Sequence, residues 1–209
     1  ERVNTLLFDV VLRGKNPPMP LRLVEIQPGV IFEAEDFTVT AFPVFHRGPD
    51  SLGYVFEEKA RRPFLAEKAD ALGVPFGPER RDLVNGKAIT LPDGKRITPD
   101  LVLGDLEPGS KLVLVGDTGK IDNLIEVCKD ADAVVIESTY LDEEADMAKQ
   151  FSHLTAKMGA ELAQKAGVKK LILTHISRRY RGKDVLAEAQ TVFENTVVAR
   201  DFDTFVIKR

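Results

Sequence analysis

The sequence is poor in the residues that build disulfide frameworks and thiolate metal sites. It has one cysteine, Cys128, in 209 residues, so an internal disulfide and a cysteine-rich metal site are both excluded. Cys128 lies in the segment IEVCKDADAVV, whose apolar spacing is typical of a helix, and we expect its thiol to be buried. Histidine is nearly as scarce, so histidine chemistry is confined to His46, His153 and His175.

Long apolar runs and a basic excess are also missing. No stretch approaches the roughly 20 consecutive apolar residues of a membrane span, and the first residues, ERVNTLLFDVV, lack the order of a signal peptide. We therefore predict a soluble, cytoplasmic protein with no membrane partner. The net charge of −4 argues against holding nucleic acid by bulk electrostatics, which leaves a local basic patch as the alternative.

The first half of the chain is rich in β-branched and aromatic residues. The stretch around residues 22–54 has four short pieces typical of a strand meander, LRLVEI, GVIFEA, FTVTAFPVF and LGYVFEE. Residues 61–100 change character, with prolines and glycines in turn contexts and a brief helical pattern over 65–72. We expect this segment to be a protruding arm rather than part of the core.

From Lys111 onward the pattern alternates between strand and helix. Strands are predicted at KLVLVGD, DAVVIEST, LILTHI, TVVAR and DTFVIKR, and helices at IDNLIEVCKDA, HLTAKMGAELAQKAGV and DVLAEAQTVF. We find no internal repeat, no low-complexity segment and no linker long enough to separate two domains. The sequence therefore predicts one α/β domain.

Three predicted strands end in residues that bind metals. TAFPVFH ends at His46, LVLVGD at Asp117 and LILTH at His175, and α/β folds place their sites at such strand ends. Imidazole and carboxylate groups are ligands that Zn²⁺ and similar ions favour. The alternatives are ordinary hydrogen-bonded histidines, a Gly-Asp-Thr turn that caps a helix at Asp117, and a helix N-terminus at His153, since no local spacing such as HExxH joins these residues.

The same positions resemble the ribonuclease Z family of the metallo-β-lactamase superfamily, the tRNA 3′-processing endonucleases. The resemblance covers essentially the whole chain, and its most specific parts are the short pieces SHLTA, which contains His153, and THISRRY, which contains His175. The other matching residues, in the family's order and approximate spacing, are His46 in FPVFHRGPDSLGY, the pair Gly77-Pro78, Asp117 in VGDTGKIDN and Glu137 in VIESTY.

The resemblance implies an α/β fold, the αββα sandwich, with a dinuclear zinc site at its edge. His46 would bind the first ion, His175 the second, and Asp117 would bridge both, with a hydroxide between the ions as nucleophile. The same ligands accept Mn²⁺ or Fe²⁺. The family's pattern also implies that His153 donates a proton to the departing 3′ oxygen while Glu137 orients its imidazole. The alternative for Glu137 is a solvated or helix-capping carboxylate.

The resemblance further implies that 61–100 is an inserted arm that binds precursor tRNA, and that the complete protein is a homodimer. A charged, solvated turn is the alternative for the arm. The residues expected to contact substrate are Gly77, Pro78, Arg80, Arg81 and Lys87 in the arm, and Arg178 and Arg179 after His175.

One departure from the family is large. Its signature HxHxDH, which supplies four further metal ligands, does not occur in this chain. We therefore expect residues 1–209 to be the C-terminal part of one metallo-β-lactamase domain, an incomplete sandwich that is inactive alone and exposes an apolar sheet face. The alternatives are a non-catalytic tRNA-binding remnant and a superfamily phosphodiesterase that acts on small substrates.

Overall fold

The computed structural model describes residues 2–14, 19–48 and 51–207. Its strands are β1 (Gly29–Glu33), β2 (Phe37–Val44), β3 (Ser51–Glu58), β4 (Ile89–Thr90), β5 (Arg96–Ile97), β6 (Lys111–Leu114), β7 (Ala133–Glu137), β8 (Leu171–Thr174) and β9 (Thr196–Val198). Its α-helices are α1 (Arg2–Asn4), α2 (Ala66–Ala71), α3 (Pro78–Val84), α4 (Pro99–Val102), α5 (Ile125–Cys128), α6 (Ala145–Phe151), α7 (Ala156–Ala166) and α8 (Gly182–Gln190). Thr5–Val11 continue α1 as a π-helix, and Asp122–Leu124 and Asp142–Glu144 form 3₁₀ turns. Within the described ranges, no helix has both the length and the apolar character needed to cross a membrane.

The larger sheet sets the direction of the strands that matter for function. In the described part of the chain it has seven strands in the order β1-β2-β3-β6-β7-β8-β9, while β4 pairs with β5 in a small separate ladder. Pairing is antiparallel from β1 to β6 and parallel from β6 to β9. Strands β2, β6, β7 and β8 therefore point the same way, and their carboxyl ends meet at one edge of the sheet.

The two faces of this sheet differ in burial because side chains alternate along each strand. On one face Val113, Val134 and Leu171 are fully buried in the main core, together with side chains from α7 and α8. The other face is only partly covered, and Phe32 and Phe56 remain 53% and 37% exposed. These exposed phenylalanines agree with the apolar sheet face expected from the sequence.

The structure corrects three of the predicted elements. Residues 20–27, which include LRLVEI, form no strand, and the side chains of Leu23 and Val24 are exposed. The described part of DTFVIKR, residues 203–207, also forms no strand. Both segments have strand-like composition, but among the described residues neither pairs with a strand that would satisfy its backbone groups. The helix predicted at IDNLIEVCKDA is reduced to a 3₁₀ turn and the four-residue α5.

The segment between β3 and β6, residues 59–110, forms a small folded unit that includes the predicted arm. Its own small core contains fully buried Leu83, Ile97 and Val102 and is separate from the main core of the sheet. At its base Arg62 Nε donates to the carbonyl of Gly104 at 2.7 Å, and this hydrogen bond joins the beginning of the arm to its end. The arm is therefore held as a unit rather than as a loose loop.

Cys128 is fully buried in the main core, as expected, and burial raises the pKa of its thiol to about 12. Because the thiolate is the reactive species, alkylation of the native protein by iodoacetamide at pH 8 should be roughly 10³-fold slower than in denaturant. Rates measured by mass spectrometry in the two conditions check this. Similar rates would mean that the thiol is accessible in the native state.

Candidate functional site

Four residues predicted to act in the site are delivered by the strand ends that meet at one edge of the sheet. His46 follows β2, Asp117 follows β6, Glu137 is the last residue of β7, and His175 follows β8. His153 reaches the same place from the loop between α6 and α7. The buried strands fix the backbone up to the sheet edge, where the side chains face a common space.

Distances within this group show that the side chains converge. The ring of His153 lies between the other two imidazoles, 4.9 Å from the ring centre of His46 and 5.4 Å from that of His175. His175 Nε2 is 3.6 Å from Asp117 Oδ1. The sequence positions 46, 117, 153 and 175 are far apart, so their proximity is a product of the fold.

The tightest group of ligand atoms differs from the expected set. One atom from each of His46, Asp117 and His153 lies within 4.8 Å of the others, whereas His175 adjoins this group through Asp117. The side chains of Asp117 and His175 are 40% and 51% exposed, so solvent and substrate can reach them. The described residues thus bring the Asp117 carboxylate close to the imidazoles of His46, His153 and His175.

The orientation of His46 is fixed by a backbone acceptor. Its Nδ1–H donates to the carbonyl of Ser152 at 2.9 Å. Because a carbonyl can only accept, Nδ1 carries the proton of the neutral imidazole, and the lone pair on Nε2 is available to a metal ion. Ser152 adopts a left-handed conformation with φ of 60°. Gly119 packs so closely on it that a Cβ would lie 2.8 Å from the Cα of Ser152. The backbone of both loops therefore positions the imidazole.

Glu137 and His153 form a buried pair. The carboxylate of Glu137 is 1% exposed, and its Oε1 accepts from His153 Nδ1–H at 2.8 Å and from the Thr118 N–H at 2.9 Å. Its Oε2 accepts from the hydroxyl of Thr139 at 2.5 Å. These donors offset the buried negative charge and hold the imidazole with Nε2 directed away from the carboxylate.

These contacts decide two of the alternatives left by the sequence. Glu137 is neither solvated nor a helix cap, because it is buried against His153. His153 is not the N-cap of α7, because Thr155 is, and its hydroxyl accepts from the Met158 N–H at 3.2 Å. The motif FSHLTA therefore does contain the N-cap of a helix, and the capping residue is Thr155.

The basic residues expected to contact substrate have different surroundings. In the arm, Arg80 donates to the carbonyls of Val74 and Pro75 and pairs with Asp70, so its guanidinium is engaged inside the arm. Arg81 and Lys87 are exposed, and Lys87 Nζ is 3.7 Å from Asp82.

The two arginines after His175 also differ from each other. Arg178 is exposed, whereas Arg179 donates to Glu144 at 3.0 Å.

In the arm, Gly77 has φ of 148° and ψ of −152°, a conformation essentially restricted to glycine, and Pro78 begins α3.

Sequence reasoning missed the residues that support the site. Thr118 and Thr139 both hydrogen-bond to Glu137, and Ser152 holds His46 through its carbonyl. The threonines flank Asp117 and Glu137 in GDT and EST, which is a weak signal for a supporting hydrogen bond. Ser152 acts through its backbone, so its side chain carries no such signal.

Comparison with known proteins finds one matching family model and several relatives. The Beta-lactamase superfamily domain matches residues 91–176. The Ribonuclease Z of Bradyrhizobium diazoefficiens is 42% identical over 207 residues, which is 96% of this chain and 69% of that protein. The Ribonuclease Z of a second Bradyrhizobium strain is 44% identical over the same shares of both chains. That of Rippkaea orientalis is 40% identical over 90% of this chain and 62% of its own length.

Two solved structures share the fold. Human tRNase Z, short form, superposes with a TM-score of 0.51 at 24% identity and covers 86% of this chain and 47% of that one. The metallo-β-lactamase fold protein YhfI from Bacillus subtilis superposes with a TM-score of 0.55 at 17% identity, over 85% of this chain and 51% of that one.

Proposed function

The chain belongs to the ribonuclease Z family, and we propose that it supplies the catalytic edge of a zinc-dependent endoribonuclease that removes 3′ trailers from precursor tRNA. The observation that carries this proposal is the meeting of His46, Asp117 and His175 with the buried Glu137–His153 pair. A metal-binding group and a separate proton-donating group then lie side by side, which is what hydrolysis of a phosphodiester requires.

The donor set fits divalent metal ions. In the proposed assignment, His46 Nε2, His175 and the Asp117 carboxylate would hold the ions. The accessible Asp117 carboxylate and the free Nε2 of His46 support this assignment. When bound, such ions make a water molecule nucleophilic near neutral pH and offset the charge that develops on the phosphoryl oxygens. Zinc is proposed because it favours these ligands, and Mn²⁺ or Fe²⁺ would also suit them.

His153 is the proposed general acid. Glu137 accepts its Nδ1–H, so the proton that can be transferred is the one on Nε2. We place that proton on the departing 3′ oxygen of the tRNA, whose expulsion without protonation is difficult. Glu137 stabilises the positively charged imidazole before the transfer and keeps it in one orientation afterwards, and it is therefore a positioning residue.

The arm and the loop after β8 are the proposed substrate contacts. Arg81, Lys87 and Arg178 are exposed cations that can meet phosphates, while Gly77 and Pro78 fix the turn that presents them. Arg80 and Arg179 remain candidates, although each already donates to a carboxylate of the protein, Arg80 to Asp70 and Arg179 to Glu144. We further propose that the active protein is cytoplasmic and homodimeric.

Substitution of the two neighbouring arginines of α3 should separate arm stability from tRNA binding. Arg81→Ala should weaken binding of precursor tRNA several-fold and reduce its salt dependence, because one phosphate contact is lost. Arg80→Ala should lower the melting temperature, because it removes hydrogen bonds to Val74 and Pro75 inside the arm. Thermal unfolding and filter binding at several salt concentrations check both results. Equal effects of the two substitutions on stability would contradict this assignment, and Arg81→Lys is the charge-matched control.

Residues 1–209, with 61–100 as the tRNA-binding arm, are proposed to be the C-terminal part of one metallo-β-lactamase domain that needs the HxHxDH ligands for activity. The chain would be mixed with a separately produced N-terminal half that carries HxHxDH, together with zinc, and assayed on precursor tRNA. We expect cleavage by the mixture and none by the chain alone. Cleavage of small phosphodiesters without cleavage of precursor tRNA would favour the small-substrate phosphodiesterase. Binding of tRNA without any hydrolysis would favour the non-catalytic remnant.

A further inference from the structure

Phe76 is an exposed aromatic residue on the arm that the proposed catalytic site does not use. Its side chain lies immediately before Gly77 and Pro78 and is 92% exposed. Removing a phenyl ring from water is favourable. A ring that stays almost fully exposed in the folded chain therefore stabilises the fold very little. The exposure therefore points to a use outside the fold of the chain itself.

The ring is held in place although it is exposed. Pro75 and Gly77 flank it, and Gly77, with φ of 148°, adopts a conformation essentially restricted to glycine. The guanidinium of Arg80 lies 4.8 Å from the ring centre, and its hydrogen bonds to the carbonyls of Val74 and Pro75 fix it under the ring. A ring that is ordered before binding loses little entropy when a partner stacks on it.

The surroundings of Phe76 favour a nucleic-acid partner. Its neighbours on α3 are charged, with Arg80 and Arg81 among them, whereas a docking surface for another protein is a contiguous apolar patch. A single flat aromatic group next to arginines is the arrangement with which proteins stack unpaired bases.

We propose that Phe76 is a stacking platform for an unstacked base of the folded precursor tRNA. The inference rests on the proposed function, since it takes the substrate class from it. It adds a contact made through the face of a base to the phosphate contacts expected from the basic residues of the arm.

The test is binding of precursor tRNA to the 209-residue chain in EDTA, where cleavage does not interfere. Phe76→Ala and Phe76→Leu should each weaken binding about 5- to 100-fold, because both remove the aromatic face. Phe76→Trp should retain the affinity of the original chain. A blunt RNA duplex of equal length, whose bases are stacked, should bind all four proteins alike. Thermal unfolding should change little, since the ring is exposed and its contact with Arg80 is the main one lost.

The outcomes separate this inference from the proposed function. If the original chain does not prefer precursor tRNA over the duplex, the proposed substrate and the stacking platform are both wrong. If it does and Phe76→Ala binds as well as the original chain, only the platform is wrong. Full affinity in Phe76→Leu would mean a general apolar contact, and a change in sedimentation with unchanged RNA affinity would mean contact with a second copy of the chain. Either result overturns stacking.

Discussion

Asp117→Asn is expected to lower the affinity of the chain for Zn²⁺ by about 10²-fold. The free energy of zinc binding to four-ligand sites in small peptides is about 10–16 kcal/mol, so one ligand contributes about 3 kcal/mol. Loss of that contribution lowers the affinity about 10²-fold. The amide retains the shape of the side chain but loses its negative charge, and Asp117 is the carboxylate that lies 3.6 Å from His175 in the cluster. Competition with a fluorescent chelator measures the change. In the protein assembled with HxHxDH, cleavage of precursor tRNA should fall by at least the same factor.

Asp122→Asn is the matched control for this substitution. Asp122 is exposed, lies five residues further along the chain, and loses the same charge. Its replacement should leave zinc affinity within about twofold, since an exposed charge outside the ligand group is screened by solvent. Equal losses in the two variants would mean that the effect is one of net charge, and the assignment of Asp117 as a ligand would be abandoned.

The convergence of the site could be predicted because it depends on strands. The apolar runs before His46, Asp117 and His175 identify buried strands, and the carboxyl ends of strands that run in one direction share an edge. The expected α/β metallo-β-lactamase fold is confirmed on the same grounds, together with the structural likeness to solved members. Short, strongly apolar strands are the features that sequence patterns identify best.

The parts that depend on long-range packing could not be predicted from local patterns. His153 lies in the loop between α6 and α7, so its distance from Asp117 is set by how the helices pack on the sheet. The arm core is assembled from Leu83, Ile97 and Val102, which are separated by turns and share no helical or strand period. The strand predicted at LRLVEI is absent for a related reason. Its composition suits a strand, but no strand among the described residues lies beside it to pair with.

The position of His153 suits two different roles. It lies within the group of potential ligand atoms and is at the same time bonded to Glu137. A ligand and a general acid make opposite demands, since a ligand must present a lone pair at Nε2 and an acid must carry a proton there. Zinc affinity and rate together can therefore distinguish the two roles.

His153→Ala is expected to reduce cleavage of precursor tRNA roughly 10²- to 10⁴-fold, the usual effect of removing a general acid. Zinc affinity should change little, because the proposed ligands are His46, Asp117 and His175. A small phosphodiester with an activated aryl leaving group should be cleaved by the variant at nearly the original rate, since that group departs without a proton. A loss of zinc affinity comparable to that of Asp117→Asn would identify His153 as a ligand and overturn the role of acid.

Glu137→Gln provides the control for this role, because Glu137 reaches the reaction only through His153. The carboxylate of Glu137 accepts hydrogen bonds from His153 Nδ1–H and the Thr118 N–H, among others. An amide in its place must turn its NH₂ group toward one of these donors, and that hydrogen bond is lost. The single substitution should lower the rate of cleavage of precursor tRNA. The double variant with His153→Ala should be no slower than His153→Ala alone, because two residues that act as a unit are not additive. A further additive loss would mean that Glu137 has a separate function at this edge of the sheet.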